Sequence, residues 1–464
     1  MSDAAPLPQS LASSRKWSSQ RAFVLAAIGV AVGLGNIWRF PFITGENGGG
    51  AFVLVYIGFV FVIGLPLIIA ELAIGRAGGA SAITTMRTLV RDGGYSPFWR
   101  VIGWAAIAIP LLALTYYSVV SGWALDYGLK AAAGAFAHIS APGSGALFAH
   151  MQASFWQLAL WHSINMALIT MIIARGLHDG LEVAVRILMP MLFAGLLALS
   201  IYALITGDAR AALHFLFAPD FSKLTFAGVL LALGQAFFSL AIGVGALITY
   251  GAYMSPDMHI PGAARSIVIA DTAVALLAGL TIFPLVFAYG LKIGEGPGLI
   301  FVTLPVAFGQ MPGGRYFATL FFVLLYAAAL TSSVAMLEPA VAWLEDKGRK
   351  RAPTTIVLGL AAWAAGLLMV ASFNVLKDFH PLSFFEPLAP YTLFRLADFL
   401  VTNIMLPVNA LLLALFAAWV MKPQTIAAQI GFADTRAFAL WRVIVRYLAP
   451  LAIVLILYTL LAGG

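Results

Sequence analysis

The 464-residue chain contains no cysteine. That excludes a disulfide framework, a cysteine-ligated metal site and a thiol nucleophile. Charge is the second thing in short supply: only 10% of the residues are Asp, Glu, Lys or Arg, against about 25% in a soluble domain, so most of the surface does not face water. Long polar stretches are also scarce. The longest, roughly 128–155, reads as a small Gly/Ala-rich loop, which leaves no room for a soluble catalytic domain. Neither His-Glu-x-x-His nor Gly-x-Ser-x-Gly occurs, and an intramembrane enzyme would need such a metal pair or nucleophile. His162 and His178 read as interfacial residues near span ends.

What the chain has instead is apolar length. Hydrophobic residues make up 62% of it, in recurring runs of about 20 residues, each long enough to cross a bilayer. The pattern predicts an all-α polytopic membrane protein with eleven spans. These lie near 22–44, 51–74, 101–127, 157–174, 181–206, 226–254, 266–293, 316–344, 354–372, 393–420 and 439–461. The first 20 residues are polar, with no apolar signal core, which predicts a cytoplasmic amino terminus. With that orientation, 18 of the 26 basic residues fall inside and 8 outside, in line with the positive-inside rule, and an odd number of spans puts the carboxyl terminus outside. The net charge of +7 is spread over short loops and argues for a membrane, not for nucleic acid.

Two spans carry glycine pairs near their centres. Residues 31–35 read Ala-Val-Gly-Leu-Gly and residues 241–245 read Ala-Ile-Gly-Val-Gly. Glycine weakens a helix by about 1 kcal/mol relative to alanine, so both places invite unwinding. Unwound backbone at membrane depth survives only where it is buried in protein or lines a cavity. There its carbonyls can hold a cation and a half-helix amino end an anion. The alternative for one such segment is close helix packing through small residues. Two alike, five spans apart, point to an inverted repeat. The chain then divides into a cytoplasmic segment 1–21, a five-helix repeat 22–206, a second repeat 226–420, and a cytoplasmic loop with the eleventh helix, 421–464.

Gly-Leu-Gly-Asn-Ile-Trp-Arg-Phe-Pro (33–41), Glu-Asn-Gly-Gly-Gly-Ala-Phe (46–52), Gly-Gln-Ala-Phe-Phe-Ser-Leu (234–240), Leu-Thr-Ser-Ser-Val-Ala-Met (330–336) and Leu-Glu-Asp (344–346) together resemble the signature of the neurotransmitter:sodium symporter family, in its bacterial amino-acid transporter branch. The resemblance implies a LeuT-like fold with helices 1 and 6 broken, and symport of a small molecule with one or two sodium ions. It also implies two ion sites. One would be formed by the Ala31 backbone, Asn36, Ser239, Asp271 and the substrate carboxylate. The other would use the Gly29, Val32 and Ala328 backbone with the Thr331 and Ser332 hydroxyls. Every proposed ligand atom is an oxygen, as a hard cation requires. Taken alone, Thr331 and Ser332 could equally bond back to their own helix, and Asn36 could cap the break.

Asp271 lies within an apolar span with no basic residue nearby in sequence, and an intramembrane carboxylate is by default functional. Chloride-dependent relatives have Asn there and bind chloride close by. The matching positions here are Tyr56, Gln235, Ser239, Asp271 and Ala275. The expectation is that Asp271 supplies the charge that chloride supplies elsewhere, so no chloride is required. Proton counter-transport through the same carboxylate is a further expectation.

By the same resemblance the substrate pocket comprises Ala31, Gly33, Leu34, Gly35, Ala113, Tyr117, Phe238, Ser239, Ala241, Val244, Ser332 and Met336. Monoamine transporters carry Asp where Gly33 stands. Gly33 therefore argues for a substrate bringing its own carboxylate, to be held by broken-helix amides and the Tyr117 hydroxyl. The wall carries no charge, so a charged side chain would be unpaired there. A neutral hydrophobic or aromatic L-amino acid fits; betaine- or GABA-like compounds, or a non-transporting sensor of this fold, are the alternatives. Arg39 with Asp398 match the outer gate, Tyr253 and Asp346 the inner. Arg15 falls one residue out of register for the inner-gate arginine. Gly180 and Pro190 either let the inner half of span 5 unwind or mark an ordinary helix start and kink. Membrane lipid and the small molecule are the expected partners, with no obligate protein partner.

Overall fold

The computed structural model describes residues 16–291, 296–432 and 435–461; Arg15 lies outside them. The regular structure of the described residues is all helical, with no strand. Among the described residues nine helices are long and apolar enough to cross a membrane, and a tenth span is the bent pair Gln20–Ala31 and Gly35–Glu46, whose axes meet at 52°. The sixth expected span is Phe226–Ser239, too short to cross alone, followed after six non-helical residues by Ala246–Ala252. Spans 2 to 5 are Gly50–Gly78, Pro97–Ala132, Phe155–Ala174 and Leu177–Thr206. Spans 7 to 11 are Ile260–Ala288, Gly314–Asp346, Arg351–Ala371, Leu393–Val420 and Thr435–Tyr458.

Helix starts follow local chemistry. The Ser19 hydroxyl accepts from Ala22 N, Ser154 from Gln157 N, Thr225 from Gly228 N, and the His259 ring from Gly262 N. Each satisfies a backbone donor left free in the first turn. One expectation needs correcting here, and the span 5 region takes a definite form. The stretch 128–155 is not a plain loop: Ser140 caps a 13-residue helix, Ala141–Ala153. Span 5 starts at Leu177 after Gly176, whose φ of 99° only glycine takes readily. Gly180 lies inside the first turns, pressed so close to Ile172 O that a Cβ would sit 1.9 Å from it, and helix continues through Pro190.

Of the nine long apolar helices, span 8 is the most enclosed, followed by span 7. Spans 3, 4, 8 and 9 are tied by a buried polar network. His162 is fully buried, not interfacial. Its Nε2 faces Trp363 O at 3.1 Å and its Nδ1 faces Ser118 Oγ at 2.9 Å. A carbonyl can only accept, so Nε2 carries the proton and Nδ1 accepts from the serine. Tyr326 donates to Asn165 Oδ1, and Asn165 donates to Ser118 O. The network leaves no buried polar atom of this group unpaired, which ties the four helices into one frame.

Candidate functional site

The two breaks face each other. Between the halves of span 1, Val32 is extended at φ −71°, ψ 111°. In span 6, Ala241, Gly243 and Gly245 have φ of 51°, 85° and 83°. Gly243 has no alternative: a Cβ there would sit 2.4 Å from Leu406 O. The freed peptide is held from both sides. Glu71 Oε1 accepts from Gly243 N at 2.7 Å, and Asn409 Nδ2 donates to Gly243 O at 2.7 Å. Neither clamp residue was singled out from the sequence. Glu71 was discoverable by the rule that marked Asp271, a carboxylate inside an apolar run.

Asp271, Asn36, Ser239 and Tyr56 meet in one buried cluster. Asn36 Nδ2 donates to Asp271 Oδ1 at 2.7 Å, while the Asn36 carbonyl accepts from Gly33 N at 3.1 Å. Asn36 thus caps the break and joins the cluster at once. Asp271 Oδ2 accepts from Ser239 at 3.0 Å and from Tyr56 at 3.3 Å. Gln235 reaches the break by donating to Gly35 O, and its own Oε1 is unpaired. Ala275 is buried on the next turn from Asp271.

The second oxygen set also converges. Ser332 Oγ lies 3.1 Å from both Gly29 O and Val32 O, reaching across to span 1 instead of back to its own helix. Thr331 does bond back, to Ala327 O and Ala328 O, and packs on Gly29, where a Cβ would stand 3.1 Å from Thr331 Cβ. Carbonyls of Gly29 and Val32 and two hydroxyls therefore share one small volume, a donor set suited to a hard monovalent cation.

Between these clusters lies Gly33. A Cβ on it would meet the Tyr117 hydroxyl at 2.7 Å and Ser332 Oγ at 2.8 Å. Tyr117 accepts from Leu34 N at 3.0 Å. Gly35 is covered by the Phe238 ring, 2.7 Å from where its Cβ would be. Ala113 and Met336 each stand one helical turn from a member of this group, Tyr117 and Ser332, on the same faces. Ala241 and Val244 belong to the span 6 break, and Ala31 ends the first half of span 1.

The two ends of the molecule differ. Toward the Arg39 end, the guanidinium lies over Phe238, 4.4 Å from the ring centroid. Asp398 takes a hydrogen bond from Tyr116, and Arg39 and Asp398 make no ion pair within 4 Å. A cavity of about 690 Å³ opens there, lined by Arg39, Phe238, Tyr391, Asn403 and residues of spans 6, 10 and 11. The Asp346 end is sealed. Tyr253 donates to buried Glu338 at 2.9 Å, and Glu338 is ion-paired to Arg351, which also binds Glu345 at 2.9 Å. Asp346 accepts from Ser81 N. Residues 16–18 close the same end. Trp17 donates to Tyr253 O and Tyr250 O, and Ser18 donates twice to Glu182 on span 5. Lys16 donates to Met254 O; burial and then the Arg76 charge hold its amine below its usual value. Glu338, Arg351 and Glu182 were missed because their partners lie far away in sequence or on the next helix.

Comparison with known proteins gives a consistent picture. A family model described as the sodium:neurotransmitter symporter family matches residues 14–141 and 136–462. An uncharacterised sodium-dependent transporter of Bacillus subtilis, YhdH, is 37% identical over 96% of this chain and 97% of its own length. One from Haemophilus influenzae is 31% identical over 95% of this chain and 96% of its own. Among solved structures, that of MhsT in complex with L-phenylalanine superposes with a TM-score of 0.86 at 40% identity, over 96% of this chain and 99% of that one.

Proposed function

The chain belongs to the sodium:neurotransmitter symporter family and is a sodium-dependent membrane symporter, not an enzyme; on that premise we propose that it imports a neutral hydrophobic or aromatic L-amino acid by alternating access, without chloride. The observation that carries the substrate class is the surroundings of Gly33. The Tyr117 and Ser332 oxygens stand where any side chain at position 33 would go, so the chain offers no carboxylate to a substrate amine. Broken-helix amides and the Tyr117 hydroxyl are left to hold a substrate carboxylate. The wall of Ala113, Phe238, Ala241, Val244 and Met336 is uncharged, and MhsT, similar over nearly its whole length, has been solved with L-phenylalanine.

In this reading one sodium ion binds at Ala31, Asn36, Ser239 and Asp271, and a second at Gly29, Val32, Ala328, Thr331 and Ser332. Asp271 replaces the chloride charge. Arg39 and Asp398 close above the substrate, while Tyr253 and Asp346, with Glu338 and Arg351, close below it. Residues 22–206 and 226–420 act as the two inverted repeats. The amino terminus is cytoplasmic and the carboxyl terminus outside, in a plasma membrane.

The test is uptake of radiolabelled leucine and tryptophan into proteoliposomes under an inward sodium gradient, with potassium as control. Concentrative, sodium-dependent uptake that persists when gluconate replaces chloride is expected. Sodium-dependent binding without accumulation would make the protein a sensor. Loss of uptake in gluconate would remove the role given to Asp271.

A further inference from the structure

Spans 4 and 9 pack antiparallel, and a groove of about 500 Å³ runs between them on the outer surface of the helical frame, away from the transport site. Its walls are Met171 on one side and Ile356 and Leu360 on the other, all exposed, and its floor is buried Met166. At one end the Trp363 indole closes it by donating to Ser163 Oγ at 2.8 Å. At the other end, Arg351 Nε donates to Ile173 O at 2.8 Å and pins the start of span 9 to the end of span 4.

That pin places three further cations around the open end of the groove. Arg175 follows Ile173 by two residues, and Arg349 and Lys350 directly precede Arg351. All three are exposed. The neighbouring carboxylates Glu338 and Glu345 are taken up by Arg351 itself, while exposed Asp179 lies one turn beyond Arg175. The groove spans Ser163 to Ala174. At 1.5 Å per helical residue that is about 16 Å, close to half of a hydrocarbon core about 30 Å thick. An apolar channel one leaflet deep, ending in a cationic rim at the headgroup level, has the length and polarity of a single phospholipid.

We propose that the groove between spans 4 and 9 holds an acyl chain of an anionic phospholipid, whose phosphate rests on Arg175 and Lys350. Spans 4 and 9 belong to the frame joined by His162, Asn165 and Trp363, so the lipid would brace the rigid part of the transporter. The depth favours a lipid over a second copy of the chain, for which a rim of three cations would face its own like charges.

Native mass spectrometry of the full chain, stripped in detergent and titrated with dioleoyl phosphatidylglycerol or dioleoyl phosphatidylcholine, tests this. The glycerol lipid is expected to be retained preferentially. Each cation near the surface contributes about fivefold to anionic binding. Arg175→Gln and Lys350→Gln should therefore each cut that preference by about fivefold, and together abolish it. Ala167→Phe, which fills the groove from an exposed position, should remove adducts of both lipids. Sodium-dependent uptake by each variant checks that it is folded, and Lys350→Gln alone serves if the double variant is not. Equal retention of the two lipids, or adducts unchanged in Ala167→Phe, overturns the proposal. So does efficient disulfide cross-linking of Ala167→Cys in the cysteine-free chain, which would put a second copy on this face.

Discussion

Asp271 gathers three donors, from Asn36, Ser239 and Tyr56, in a place without water. Hydrogen bonds to a charged acceptor are worth about 1.5–3 kcal/mol each, so the cluster is built around a carboxylate and would be poorer around an amide. If that charge does the work of chloride, Asp271→Asn should lower uptake in gluconate by at least about tenfold, the effect of some 1.4 kcal/mol. Asp271→Asn with Ala275→Ser, which adds a hydroxyl on the next turn, should recover uptake when chloride is supplied. Paired uptake assays in the two anions read this directly, and equal rates in both would count against the role. A second residue-scale expectation concerns Ser332, whose hydroxyl holds the Gly29 and Val32 carbonyls together across two spans. Ser332→Ala keeps the fold of span 8 but removes one oxygen of the proposed ion site and the link that orients two more. The sodium concentration for half-maximal uptake should rise by about tenfold while substrate specificity is retained. A sodium titration that does not move would take Ser332 out of the ion site.

At the scale of the element, the break in span 6 is where backbone conformation is most constrained. Gly243→Ala meets both a φ of 85° and a Cβ 2.4 Å from Leu406 O. Strain of this kind costs about 1–3 kcal/mol, and the variant should lose thermal stability and uptake together. By contrast, Gly234→Ala, where a Cβ meets nothing within 4 Å, should leave both within twofold. Melting of the two purified variants distinguishes them. The same break marks how far the sequence could be read. Glycine pairs at 33/35 and 243/245 announced both interruptions, because a helix interior tolerates glycine poorly. Asp271 announced itself as a charge in an apolar run. What pairs with what was not legible. Glu71 meets Gly243 and Tyr253 meets Glu338 across 172 and 85 residues, separations at which spacing carries no information. Span 5 was ambiguous for a different reason. Gly180 reads as a breaker, yet its lack of a side chain serves close contact with Ile172 O, and periodicity cannot tell those uses apart. His162 was read as interfacial because it sits near a span end, whereas a histidine with both nitrogens paired can be buried neutral anywhere.

Across the whole molecule the two ends are in different states, and alternating access requires that this difference be reversible. At the Arg39 end, arginine and Asp398 are apart and a cavity lies open. At the Asp346 end, the seal depends on Glu338, which is fully buried, and on Arg351, which is nearly so. Breaking a buried pair by removing one partner costs about 3–5 kcal/mol, because the remaining charge is left without water. That cost falls on the sealed arrangement alone, since opening this end would hydrate Glu338. Tyr253, which still donates to Glu338, recovers part of it, whereas Glu345 loses its ion-pair partner as well. Arg351→Gln should therefore shift the balance toward a form open at the Asp346 end by at least about tenfold. The absence of native cysteine makes the shift measurable: Ala252→Cys, buried at the Asp346 end of span 6, should react with a membrane-impermeant thiol reagent added on the side of that end at least about tenfold faster in the Arg351→Gln background. If the proposed ion sites, which join span 1 to spans 7 and 8, favour the sealed form, sodium should slow that reaction in the otherwise native chain. An unchanged labelling rate in Arg351→Gln would mean that residues 16–18, latched to Glu182 and Tyr253, hold this end shut without the ion pair.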